Sequence, residues 1–173
     1  MKKRVLLIPF LILSIVFLSA CGSKDLDVNK TKKDKFGTLS YEVPEDFSKE
    51  SVDKIEDSSL TFSAYQYIYN KMGSNGKFDD ACSLSFFSSK NDSAETIEEF
   101  ANIFQAGKTG DKKTINGVDW YIVKDEIASN MVEYHYFAQD NNKTYYEMSY
   151  SDFGSGTTCE KALNRIENSL NFK

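Results

Sequence analysis

Two strand-like stretches of this chain carry apolar or aromatic residues on both faces rather than on one: Tyr65-Gln66-Tyr67-Ile68-Tyr69 and Tyr134-His135-Tyr136-Phe137. Both are rich in β-formers and read as strands, and a strand sends neighbouring side chains to opposite faces. A sheet built from them therefore has two faces to bury. One helix over each face is the economical cover, which points to an α+β domain around an antiparallel sheet.

The remaining elements fit that plan. Residues 38–43 read as a strand that Pro44 ends, and residues 60–69 as a long strand with Phe62, Ala64 and Ile68 on one face. Met72-Gly73-Ser74-Asn75-Gly76 reads as a turn, and residues 81–88 return as the next strand. Asp92, with Glu95 three residues on, suggests a capping box for a helix over 93–106, stopped by Gly107. Ile97, Phe100, Ile103 and Phe104 would share its buried face. Asn116-Gly117 between Lys113-Thr114-Ile115 and the run over 118–123 is the strongest short hairpin signal in the chain. Residues 131–139 and 143–150 form a further hairpin across Asp140-Asn141-Asn142. The last helix spans 158–170, with Cys159, Ala162, Leu163, Ile166 and Leu170 on one stripe. The expected fold is thus an antiparallel sheet of about six or seven strands with a helix packed on each face.

The N-terminus follows different rules. Lys2, Lys3 and Arg4 precede a nearly unbroken apolar run over residues 5–18. Its hydrocarbon core of about 13 residues is shorter than the roughly 20 of a spanning helix, and Pro9 interrupts it. Basic flank, short apolar core and small residues before a cut site mark an export signal. Leu18-Ser19-Ala20-Cys21 resembles the lipobox of bacterial lipoproteins. The resemblance implies cleavage between Ala20 and Cys21 and a diacylglyceryl group on the Cys21 thiol. The plainer alternative is an ordinary signal peptide or an N-terminal anchor helix with a chance cysteine. On the lipobox reading the protein is anchored in the cell membrane by lipid and faces the extracytoplasmic side. Residues 1–20 are then the signal peptide, 21–35 the lipidated cysteine with a disordered tether, and 36–173 the folded domain. A tether of this length reaches about 45–50 Å at full stretch.

Charge narrows the partners. Residues 36–173 hold 13 bases and 23 acids, a net −10. Such a domain lacks the basic surface that nucleic acid requires. The tether is cationic by contrast, with Lys30, Lys32, Lys33 and Lys35.

Leu39-Ser40-Tyr41-Glu42-Val43-Pro44-Glu45-Asp46-Phe47 resembles the opening of the PsbP-like fold. The likeness continues through the helix start at Ser93-Ala94-Glu95, the hairpin at Ile115-Asn116-Gly117-Val118 and the closing Ile166-Glu167-Asn168-Ser169-Leu170-Asn171-Phe172. It implies an antiparallel sheet between helices and, since most members are accessory subunits or bacterial lipoproteins, a non-catalytic role. It carries no catalytic motif, and a shared fold does not fix a function.

The side chains able to do chemistry are few. Cys82 lies mid-strand beside Leu84 and Phe86, and Cys159 opens the last helix. Both point inward, either as a disulfide, which an exported domain permits, or as two buried free thiols. His135 is the single histidine and has no nucleophile motif around it, so it reads as a structural strand residue. Asp79-Asp80, Asp140 and Asp152 have turn spacing, not that of a calcium loop. The ten tyrosines and Trp120 read mainly as core, with an exposed aromatic platform as the sharper alternative. No catalytic residue, metal site or cofactor is expected. Beyond the membrane itself, the partner is an unidentified protein, wall polymer or small ligand. The competing reading is an extracytoplasmic hydrolase or metal-dependent enzyme using His135 and loop carboxylates. It requires His135, a carboxylate and a hydroxyl to converge.

Overall fold

The structure is a computed structural model that describes residues 25–51, 55–57, 60–62, 65–72, 78–90, 94–128, 131–153 and 157–173. Ala20, Cys21 and the apolar N-terminal run lie outside the described residues, as do residues 73–77, where most of the turn expected over 72–76 falls, and residues 154–156.

The domain is α+β, with antiparallel sheets and two helices. β1 (Thr31–Phe36), β2 (Leu39–Pro44) and β12 (Asn171–Phe172) form a three-stranded sheet in the order β1-β2-β12. A seven-stranded sheet has the order β3-β6-β7-β11-β10-β9-β8. Its strands are β3 (Ser48–Ser51), β6 (Tyr65–Met72), β7 (Phe78–Ser89), β8 (Asp111–Ile115), β9 (Val118–Ala128), β10 (Met131–Gln139) and β11 (Tyr145–Asp152). β4 (Ile55–Asp57) and β5 (Leu60–Phe62) pair only with each other. The helices are α1 (Ile97–Phe104) and α2 (Thr158–Glu167).

Strand alternation divides the core in two. Tyr136 and Ala138 of β10, Tyr146 and Met148 of β11 and Leu84 and Phe86 of β7 belong to the larger cluster, with Cys159, Ala162, Leu163 and Ile166 of α2. Their strand neighbours Phe137 and Tyr145, with Val123 of β9, belong to the smaller cluster, which Phe100 and Ala101 of α1 complete. The small sheet packs onto the large one through aromatic rings. Tyr41 stacks on Phe86 at 4.2 Å between centroids and meets Tyr67 edge-on at 6.0 Å. Such ring pairs add about 0.5–1.5 kcal/mol each beyond their burial.

Two of the turns that use left-handed backbone join neighbouring strands tightly. Asn116 and Gly117 (φ 51° and 79°) make the tight β8–β9 hairpin that the Asn-Gly pair predicts. Gly37 (φ 59°) joins β1 to β2, and a Cβ there would fall 2.5 Å from the Tyr146 hydroxyl oxygen. Cys82 and Cys159 form a disulfide with Cα atoms 5.9 Å apart, closing a loop of 77 residues. The chain-entropy argument gives such a loop about 4.5 kcal/mol.

Several sequence expectations are corrected. Residues 25–35, expected as part of a tether over 21–35, belong to the fold: Leu26 is 7% exposed in the larger core and Val28 packs against that core. Thr31–Phe36 is a strand, paired with β2 from Thr31↔Pro44 to Phe36↔Leu39. Charged side chains on an edge strand imitate a linker. The helical capping box is formed by Thr96 and Glu99, not Asp92 and Glu95, so α1 begins four residues later than expected. Ile103 is 37% exposed and leaves the buried face of α1. The strand expected over 60–69 is two strands, β5 and β6. Asp79 and Asp80 lie within β7 rather than in a turn. α2 stops at Glu167, and Leu170 is buried in the segment leading to β12.

Truncation tests the corrected boundary. A chain beginning at Asp25 should unfold cooperatively in urea. One beginning at Phe36 loses the β1 ladder and the burial of Leu26, and should lose most of its stability. Leu26→Ala alone should cost about 2–5 kcal/mol through the cavity it leaves. Equal urea midpoints for the two truncations would restore the long tether.

Candidate functional site

His135 is 6% exposed and lies on the β10 face that bears Glu133 and Phe137. β11 brings Glu147 alongside, with Oε1 2.7 Å from the ring Nδ1. Glu133, two residues back on the same face, places a carboxylate oxygen 3.5 Å from Nε2. Gln105, the C-cap of α1, sets its side-chain amide group 3.1 Å from Nε2, and its oxygen is the end able to accept from a protonated ring. Ser149 and Ser151 of β11 donate to Glu133 at 2.9 and 3.0 Å. Lys108, between α1 and β8, pairs with Asp125 of β9, which lies opposite Glu133 in register.

Burial opposes a charge on His135, but hydrogen bonds and attraction from Glu133 and Glu147 overcome it and raise the pKa to about 9. The end of α1 adds partial negative charge from its last carbonyls. Glu133 is held down to about 2, chiefly by the hydrogen bond from His135 and against the cost of its own burial. At neutral pH the ring is therefore an imidazolium with no lone pair to accept a proton. Ser149 and Ser151 give their hydroxyl protons to Glu133 rather than to the ring. Histidine, carboxylate and hydroxyl do converge, but as a closed ion network and not as a nucleophile–base pair.

The other expected residues have structural settings. Asp140 accepts from the Asn142 and Thr144 amides and from the Thr38 hydroxyl, which ties the β10–β11 turn to the small sheet. Trp120 is 1% exposed and stacks on Phe172 at 5.9 Å; Tyr41, Tyr67, Tyr136, Tyr145 and Tyr150 are also core. Among the described residues, no group of three or more His, Cys, Asp or Glu side chains is placed to hold a metal ion. Cys82 and Cys159 are consumed by their disulfide.

A second concavity lies elsewhere among the described residues. On the outer face of the small sheet, a groove of about 730 Å³ runs between β1, β2 and the C-terminal end of α2. Lys33 and Lys35 face outward beside their register partners Glu42 and Ser40. Arg165 binds Glu42 at 2.6 Å, and Lys173 lies at the far end. Sequence reasoning assigned Lys33 and Lys35 to the tether and did not single out Arg165 or Lys173. Their convergence depends on the β1–β2 register and the position of α2.

No family model and no curated protein matches this chain. A crystal structure of a protein from Bacteroides thetaiotaomicron is similar over 79% of this chain at 11% identity, with a TM-score of 0.47. This chain spans 45% of that protein's length.

The ion network carries a pH signature. The folded pKa of His135 is raised from 6.5 to about 9, so its contribution, on the order of 3 kcal/mol, is full below about 6.5 and is lost as pH rises through about 9. The Glu133 contribution has the opposite sense, present above about 4.5 and lost as pH falls toward 2. Urea midpoints of wild type and His135→Gln should differ most below about pH 6.5 and converge on the alkaline side. A pH-independent difference would mean that the ring is neutral in the fold.

Proposed function

We propose that the protein is a lipid-anchored, extracytoplasmic binding or accessory protein that works without catalytic turnover. The observation that carries this reading is the clasp on His135. The only histidine is held charged by two carboxylates, and the nearby hydroxyls are committed to one of them. The network works as a structural brace across β10, β11 and the end of α1. The opposed clusters around Phe100 and Ile166 also favour a PsbP-like layering with one helix on each face of the seven-stranded sheet.

The anchor reading rests on the basic flank, the apolar run and Leu18-Ser19-Ala20-Cys21. A two- or three-chain lipid on Cys21 would hold the domain essentially permanently at the membrane. The binding surface would be the groove bordered by Lys33, Lys35, Arg165 and Lys173, since concave surfaces with converging polar groups are the usual ligand sites.

Two experiments test the parts separately. Growth with a palmitate analogue should label the wild-type protein and leave Cys21→Ala unlabelled and uncleaved; equal labelling would remove the anchor. In cells lacking the native protein, His135→Gln that still folds at growth temperature should restore the cellular role. Loss of that role in a folded variant would revive the enzyme reading.

A further inference from the structure

We infer that the cation-lined groove on the small sheet receives the phosphate headgroups of anionic phospholipids in the membrane that anchors the chain. The inference rests on the lipid-anchor reading of Cys21. Three observations carry it.

The first is reach. Leu26 is buried in the core and Asp25 pairs with Lys71, so the fold begins four residues after Cys21. Four residues span at most about 14 Å, close to the radius of gyration of about 15 Å for a domain of this size. The entry side of the domain must then rest on the headgroup layer. A turn closed by the Lys30 amide on the Asp27 carbonyl leads directly into β1, which carries Lys33 and Lys35.

The second is the state of the lining charges. Glu42 is engaged by Arg165 and by the Thr31 hydroxyl, and Asp34 by Lys49 and the Tyr67 hydroxyl. The ammonium groups of Lys33, Lys35 and Lys173 are exposed and have no partner among the described residues. The groove therefore presents three uncommitted cations around a concavity that a headgroup phosphate can enter.

The third is contrast with the rest of the surface. Residues 25–173 carry a net charge of −9. An anionic membrane repels most of such a domain and attracts this groove, so the field turns the small sheet toward the lipid. A free phosphate ester offers the same chemistry, but the short reach favours the membrane as its source.

The lipidated full chain can be placed in vesicles of phosphatidylcholine alone or mixed with phosphatidylglycerol. Amine acetylation is then read residue by residue with mass spectrometry. Lys33, Lys35 and Lys173 should react about fivefold more slowly on the anionic vesicles, while Lys90 and Lys112 react equally on both. Lys33→Glu together with Lys35→Glu should abolish the protection of Lys173. Equal rates on both vesicle types overturn the inference. So does protection by free glycerol phosphate on phosphatidylcholine vesicles with none on the anionic ones, which assigns the groove to a soluble ligand. Flotation with the vesicles is scored separately. Flotation that requires Cys21 but brings no protection removes the headgroup site and leaves the anchor. Flotation unaffected by Cys21→Ala removes the anchor and this inference with it.

Discussion

A sheet whose strands are apolar on both faces must be covered twice, and this demand arranges the rest of the domain. In the larger cluster the small sheet and α2 bring Phe36, Leu39, Tyr41, Ala162 and Ile166 against Phe86, Met148 and Tyr150. Burying a large side chain is worth about 1.5–3 kcal/mol, so this shared layer is the main driving force. In the smaller cluster α1 has only eight residues and covers Phe137, Val123 and Tyr145. The strand positions beyond it change character: Ser83, Ser85, Ser149 and Ser151 replace aromatics. The His135 network sits at that border, where the apolar cover ends at Gln105. A buried cation is tolerable there because two carboxylates and the end of a helix meet it.

What the sequence displays well is whatever depends on short-range pattern. The Asn116-Gly117 hairpin, the stripe Cys159-Ala162-Leu163-Ile166 and the inward cysteine pair all follow from local periodicity and turn chemistry. β1 was hidden because its six residues are mostly Lys and Asp, and its reason to be a strand is the ladder it makes with β2. β12 was hidden for a similar reason. Two residues carry no period, and they are held in place by pairing with β2, the burial of Leu170 and the stacking of Phe172 on Trp120. At α1, the box that forms, Thr96 with Glu99, lies four residues beyond the one read from Asp92 and Glu95, because either spacing satisfies the same local pattern.

The candidate sites divide along the same line. Glu133 and His135 are two apart on one strand, so their shared face is readable. The approach of Glu147 requires the β10–β11 register, in which it stands opposite Phe137. The groove is still less visible, since Lys33, Arg165 and Lys173 come from distant parts of the chain. A lone histidine in the sequence is thus silent on whether it is a base or a buried cation, and its cross-strand neighbours decide.

The disulfide links these features. Cys159 in the first turn of α2 is bonded to Cys82 in the middle of β7, which fixes the N-terminal end of the helix to the large sheet. At the other end Glu167 accepts from the Tyr136 hydroxyl at 2.7 Å and pairs with Lys113, while Asn116 donates to the Asn168 and Leu170 carbonyls. Between these anchors α2 holds Arg165 against Glu42 of β2, so one wall of the groove is tied to its floor. A helix pinned at both ends has little freedom to tilt, and the spacing between Arg165 and the β1 lysines is set by the packing of two sheets rather than by a loop. The aromatic layer that drives folding therefore also fixes the geometry of the charged surface.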